Sequence, residues 1–376
     1  MRFFDNSAIN RIYLHSGLHG LSEHVGGIFV FIFLLKAGIT AHLVLLSLAA
    51  LVLMRLGFRQ LVLPFAARFG LRGALIFGIV VGALGYIPLG FISGISTALG
   101  LYIFLTAFGD AFYWASYHAN SARFGDEDAR GAQVSAVQLV YSLSNIIGPL
   151  FGGFALVYFG PVVAFLFAGT IRMIGALPLL ATPNIPVNRN GSIDNKSFWF
   201  ATSVYFFDGF GAAASGITWS LALFITLGEN FQSYGLALAG AAIFGALMAL
   251  GIGRLFDLGH HKWSTAIGMC AVCVFVFSAA IGYHNPVSAA VTLCFGAIAG
   301  PLYASVYNAR VYNLAKASSE PLRFHVAGEG GWDIGCALGC CIAAFLIWQG
   351  LSFTWPMATG LLGTAGVWFT LHRSYQ

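Results

Sequence analysis

Charge is scarce in this chain. Asp, Glu, Lys and Arg together make up 8% of its 376 residues, against about 25% in an ordinary soluble domain. That shortage excludes a soluble globular protein, which needs a charged, polar skin. Long polar stretches are missing too, since only residues 182–196 form one away from the termini. Cysteine is limited to six residues, all inside apolar runs of the second half. Cys270-x-x-Cys273 permits redox or metal work, but buried free cysteine behaves as a small hydrophobe, and packing is the favoured reading. No Walker motif is present, so ATP-driven transport by this chain alone is not expected. No Gly-x-Ser-x-Gly elbow or His-Glu-x-x-His zinc motif occurs, and neither an enzyme nor a cofactor is expected. The stretch from Met1 to His19 is polar and broken, with no cleavable leader evident.

What remains is apolar. Hydrophobic residues are 59% of the chain, with 47 glycines and 35 phenylalanines, and mean hydropathy is +0.83. Glycine lets helix backbones approach closely in lipid. Runs of roughly 20 apolar residues suit membrane helices. Such runs fall near 13–37, 40–57, 71–93, 97–121, 132–158, 161–181, 197–226, 233–253, 264–284, 287–313, 325–349 and 352–372. They lack the period-two alternation of barrel strands. The expected fold is an all-α integral membrane protein of about twelve transmembrane helices.

The basic residues give an orientation. Arg2, Arg11, Arg55, Arg59, Arg68, Arg72, Arg123, Arg130, Arg189, Lys196, Arg254, Lys262, Arg310, Lys316, Arg323 and Arg373 share one side in this scheme, and Lys36 alone takes the other. Arg172 falls inside helix 6. The bias predicts cytoplasmic termini in an inner or plasma membrane. The formal charge of +5 reflects this asymmetry and does not point to nucleic acid. The turn-rich stretch 182–196 then acts as a cytoplasmic linker between six-helix bundles at 1–181 and 197–376.

The two halves echo one another. Helix 4 carries Trp114-Ala115-Ser116-Tyr117-His118-Ala119, and helix 10 carries Tyr303-Ala304-Ser305-Val306-Tyr307-Asn308-Ala309. With one gap these align. The 2–3 loop holds Arg68, Gly70 and Arg72, and the 8–9 loop holds Gly253 and Asp257. On these features the chain resembles the major facilitator superfamily over essentially its full length. The superfamily's loop signature is Gly-x-x-x-Asp-Arg-x-Gly-x-Arg. Here Ala67 stands where its aspartate belongs, the leading glycine is missing, and the second copy lacks a residue before Gly259. Gly148-Pro149-Leu150-Phe151-Gly152-Gly153 looks like the end of the glycine-proline motif of antiporter members, without its upstream glycines. The resemblance implies two pseudo-symmetric six-helix bundles around a central cavity lined by helices 1, 4, 7 and 10, acting as a monomer.

Five acids fall within the spans: Glu23, Asp110, Asp208, Glu329 and Asp333. An ionisable group in the bilayer is costly, and by default marks function. These five are candidates for binding a proton or cation. The structural alternative is that they cap helices or pair with Arg172. Asp110, Trp114 and His118 recur at every fourth residue and so share a helix face. Tyr117 flanks that face, and Tyr303 and Tyr307 make a shorter stripe. Aromatic rings with a few polar groups can hold a small organic solute, and Gln138, Ser142 and Asn145 on helix 5 add polar candidates. The alternative is an aromatic packing stripe. His15, His19 and Glu23 also recur at every fourth residue, a spacing able to ligate a transition metal, though no metal site is expected from it.

The expected function is a secondary transporter. It moves a small solute by alternating access, coupled to protons, with a slight tilt toward export by antiport. The alternatives are a nutrient importer, a transition-metal carrier, and a sensor or assembly protein that keeps the fold.

Overall fold

The computed structural model describes residues 6–124, 130–188, 192–256 and 261–373, without the side chains of 130–138, 249–256, 261–265, 305, 306 and 309. Among the described residues the chain is helical, with no strand. The first half runs through α1 (Ser7–Lys36), α2 (Ala41–Phe58), α3 (Val62–Leu84), α4 (Thr97–Phe124), α5 (Arg130–Tyr158) and α6 (Gly160–Leu180). The second runs through α7 (Asn195–Thr226), α8 (Phe231–Phe256), α9 (His261–Gly282), α10 (Pro286–Ala317), α11 (Pro321–Trp348) and α12 (Thr354–Arg373). Nine described stretches are long and apolar enough to cross a membrane, and one of them, Ala41–Leu89, holds both α2 and α3. Large apolar side chains such as Phe91, Ile95, Phe151 and Phe159 lie exposed on the outside, the surface a bilayer demands and water does not.

Local chemistry sets where helices begin. Asn6, Asp194, Asn230 and Asn285 each accept a bond from the backbone N–H three residues on, at Ile9, Ser197, Ser233 and Ser288. Each cap satisfies an otherwise orphaned donor. This is why α1 starts at Ser7, several residues before its apolar run. Two helices are interrupted. A 3₁₀ turn at Gly27–Phe29 breaks α1, and a π-helical turn at Ala212–Ile217 widens α7 just after Asp208. Such π turns recur at functional sites.

Glycine sets the closest packing. Gly331, Gly335 and Gly339 of α11 lie against the backbone carbonyls of Thr202, Phe206 and Phe210 on α7. Gly78 of α3 meets the α4 backbone at Gly109 and Tyr113, and Gly109 in turn meets the α3 backbone at Gly82. A side chain at any of these positions would force the backbones apart. The halves join where α2 packs along α11 and α5 along α8. The Gly148–Gly153 stretch supplies the second seam: Gly152 abuts α1 at Val25, Gly153 abuts the Phe231 carbonyl, and Gly235 abuts the Pro149 carbonyl.

The 2–3 connection is more ordered than the sequence implied. Residues 62–69 are already helical, and the chain then bends at Gly70, whose φ is +79°. Asn184 of the linker occupies the space where a Cβ on Gly70 would stand. Its side chain accepts from the Arg72 N–H (3.1 Å) and donates to the Phe69 carbonyl (2.9 Å). Leu71 N–H donates to the Ile185 carbonyl (2.9 Å), and the Arg72 guanidinium donates to the carbonyls of Leu180 and Thr182, both at 2.8 Å. Gly70 and Arg72 thus fasten the linker to the first half. Arg68 is exposed over the Phe69 ring. In the second copy Gly253 continues α8, and Asp257 lies outside the described residues.

Candidate functional site

A cavity of about 290 Å³ lies between the halves. Trp114 and His118 of α4 face it from one half, and Tyr205 and Asp208 of α7, Tyr303 and Tyr307 of α10, and Trp332 of α11 face it from the other. The repeated aromatic segments of helices 4 and 10 therefore meet across one space. The sequence alignment paired Tyr117 with Tyr307, but the cavity takes His118. Residues four apart share a helix face, so Trp114 and His118 answer Tyr303 and Tyr307. Tyr117 turns into the first half, where its hydroxyl lies 2.9 Å from that of Ser16.

Asp208 is the centre of the cavity's polar chemistry. The Tyr303 hydroxyl donates to Oδ1 at 2.5 Å, and the Trp332 indole N–H donates to Oδ2 at 3.1 Å. Among the described residues Asp208 forms no ion pair. Nearby Tyr303 and Tyr307 stack at 5.4 Å, and the buried Tyr307 hydroxyl has no hydrogen-bond partner among the described residues. Trp332 and Tyr205 escaped the sequence reading. Their signal was helical spacing: Tyr205 lies one turn before Asp208, and Trp332 lies between Glu329 and Asp333.

On the side of the termini, charged groups close the cavity. Arg55 and Arg59, one turn apart at the end of α2, face Glu329 and Asp333, one turn apart on α11. Arg55 reaches Asp333 Oδ1 at 2.5 Å, and Arg59 bonds both Asp333 and Glu329, the latter at 3.1 Å. All four are buried. The two arginines, which the sequence counts only as inside-positive charge, are therefore interior groups. The His118 imidazole adds contacts to Glu329 at 3.3 Å and to the Tyr312 hydroxyl of α10 at 2.8 Å. On the opposite side the closure is mostly aromatic. Phe29 of α1 packs on Phe231 and Tyr234 of α8, and Lys36 lies 3.7 Å from Glu229 at the rim.

Two candidate acids lie away from the cavity. Arg172 of α6 holds Asp110 at 2.6 Å and Glu23 at 3.5 Å, and Tyr86 donates to Glu23 at 3.2 Å. This cluster sits inside the first half, with its arginine buried. The His15/His19/Glu23 stripe is divided by it. His15 bonds the Gly175 carbonyl and the Tyr113 hydroxyl, and His19 packs on Tyr113 at 4.3 Å. Among the described residues no three His, Cys, Asp or Glu side chains cluster for a metal. Asn145 is partly buried on α5 and does not line the cavity. The Gln138 side chain lies outside the described residues. A larger cleft of about 470 Å³ is lined by Leu84, Phe91 and other apolar residues of the lipid-facing surface, with no polar group to orient a solute.

Two halves, a shared cavity and contacts between the halves on either side of it form a carrier's geometry. The sequence matches the Major Facilitator Superfamily over residues 16–318. The chain belongs to that superfamily. Solved Major Facilitator structures align along nearly all of it. The human organic anion transporter MFSD10 (TETRAN) gives a TM-score of 0.69 at 14% identity, covering 96% of this chain and 99% of that one. A POT family transporter in complex with 5-aminolevulinic acid gives 0.69 at 13% identity, covering 98% and 95%. A POT family transporter with a thioalcohol-conjugated peptide gives 0.68 at 14%, again covering 98% and 95%. No curated protein matches the sequence. This Major Facilitator chain is a multi-pass membrane transporter, and its relatives at this identity share its fold.

Proposed function

We propose that this transporter is a proton-coupled carrier working by alternating access, with Asp208 as its coupling acid and export by antiport as its direction. One observation carries this reading: Asp208 faces the shared cavity with no ion-pair partner among the described residues, while the other four membrane acids are committed to arginines. A bare carboxylate makes the empty, closed cavity costly. A bound proton removes that cost and lets the halves rock. Opening toward the termini separates Arg55 and Arg59 from Glu329 and Asp333. Opening the other way parts Phe29 from Phe231 and Tyr234. The chain acts as a monomer with cytoplasmic termini, and performs no covalent chemistry. At 13–14% identity, the organic anion and POT neighbours lend no substrate to this reading.

The test is proton flux in proteoliposomes loaded with a pH-sensitive dye, screened against a solute library. Solute-evoked flux is expected in wild type and is lost in Asp208→Asn. Proton-silent transport of a solute that moves equally well through Asp208→Asn refutes the coupling.

A further inference from the structure

The cavity's chemistry narrows its solute. Resting on the transport reading above, we propose that the solute is a compact organic cation, an amine or quaternary ammonium, seated against Asp208 in an aromatic cage.

Four observations converge on this. First, the Asp208 carboxylate faces the cavity with two neutral donors, Tyr303 and Trp332, and no ion-pair partner among the described residues. Second, the surrounding surface is aromatic: Trp114, Tyr205, Tyr303, Tyr307 and Trp332 all line it. Aromatic faces attract cations, most strongly when desolvated, and caged rings beside a carboxylate suit a methylated or alkylated ammonium. Third, the arginine that lines the cavity already has a counter-ion, while its buried Nη2 makes no hydrogen bond among the described residues. Arg55 is bound to Asp333 at 2.5 Å, and its guanidinium stacks over the Trp332 ring at 4.9 Å. Fourth, the Tyr307 hydroxyl is buried without a partner among the described residues, leaving a hydrogen-bonding group for the solute's polar end.

The local charge count agrees. Arg55 and Arg59 balance Glu329 and Asp333, and among the described residues Asp208 has no cation of its own. An anion entering this cavity adds a second negative charge to it. A monovalent cation cancels the first. The volume, about 290 Å³, lies near the lower end of the roughly 300–1,000 Å³ of small-molecule sites and favours a compact solute. The exchange balances: the cation displaces the proton of Asp208, the carboxylate becomes its counter-ion, and one proton leaves for each monovalent cation bound. Groups bearing on this proton are Tyr205 on α7, Tyr303 and Tyr307 on α10, Glu329 on α11, His118 on α4 and Arg55 on α2.

The experiment uses a shape-matched series on the full chain. Choline, tetramethylammonium and benzyltrimethylammonium are the cationic probes. 3,3-Dimethylbutan-1-ol is the neutral counterpart of choline, and 3,3-dimethylbutanoate is the anionic one. Binding is read from tryptophan fluorescence of purified protein, and proton release from dye-loaded proteoliposomes. At least one cation is expected to bind tenfold or more tightly than both counterparts. Asp208→Asn lowers that affinity at least tenfold, while Asp208→Glu retains part of it. Trp332→Phe, which keeps Asp208 charged, weakens the cation severalfold. The inference falls if no cation binds up to 100 mM, if the neutral or anionic counterpart binds as well, or if folded Asp208→Asn binds the cation within twofold of wild type. Failure of the transport reading looks different: cations bind and need Asp208, yet neither they nor protons cross the membrane. Conversely, Asp208-dependent proton flux driven only by neutral or anionic solutes keeps the transport reading and overturns this one.

Discussion

Asp333→Asn offers the sharpest test of the charged closure. Asp333 is fully buried and receives Arg55 and Arg59 together. Removing its charge leaves two buried guanidiniums facing Glu329 alone. Breaking a buried ion pair by deleting one partner costs about 3–5 kcal/mol. Here Glu329 still compensates Arg59 in part, so about 3 kcal/mol is the working figure. The loss applies to the state in which α2 and α11 touch, because opening lets water solvate the arginines. The closed-to-open ratio on the termini side should therefore fall by roughly two orders of magnitude. Hydrogen exchange of peptides spanning 50–62 and 321–335 reports it as faster amide exchange in the variant, with the α5–α8 seam unchanged. Adding Arg55→Gln restores charge balance and should recover part of the protection. Unchanged exchange in Asp333→Asn, or no coupling between the two substitutions, refutes the view that this network holds the halves together.

Other outcomes follow from the same geometry. Arg172→Gln strands Asp110 and Glu23 without their cation and should cost about 3–5 kcal/mol, read as a lower Tm in detergent. Neutralising both acids in that variant should return much of the loss. Gly335→Ala pushes a methyl into the Phe206 carbonyl and should cost about 1–3 kcal/mol as overpacking, against a near-silent change at Gly100, where no atom stands within 4 Å. Gly70→Ala meets both the left-handed backbone and Asn184, so limited proteolysis should cut the linker faster. Asp194 has its carboxyl held below the ordinary 3.8 by bonds from Ser197. A depressed value means the cap is fully present above pH 3.8 and is lost as pH falls through the lower folded value. The protection factor of the Ser197 amide, corrected for the intrinsic pH dependence of exchange, should therefore hold steady from pH 7 to 5 and fall only in stronger acid.

The fold was legible in the sequence because lipid imposes a simple rule: about twenty apolar residues per span, with polar residues confined to the connections. The cavity was partly legible. Trp114, His118, Tyr303 and Tyr307 declared themselves by four-residue spacing and by repetition across the halves, and Asp208 by its cost in the bilayer. The partners of the acids were not legible from single helices. Depth alone does not separate Asp110 from Asp208, since only the packing of α6 brings Arg172 to one and leaves the other bare. Arg55 and Arg59 passed as orientation markers because inside-positive counting treats every basic residue near a helix end alike. The matching one-turn spacings of Arg55/Arg59 and Glu329/Asp333 were a usable signal, once the two helices were known to be neighbours.

The glycine ladder on α11 has a consequence for motion. With Gly331, Gly335 and Gly339 seated on the α7 carbonyls, these two helices form one stiff spar, since close-packed backbones slide poorly past each other. Asp208 and Trp332 ride on that spar together, so the proposed rocking of the halves leaves their bond intact. Tyr303 belongs to α10, outside it. Under the proposed transport cycle the tyrosine bond is thus the detachable half of the carboxylate's harness, the lever through which solute arrival reaches the rest of the bundle.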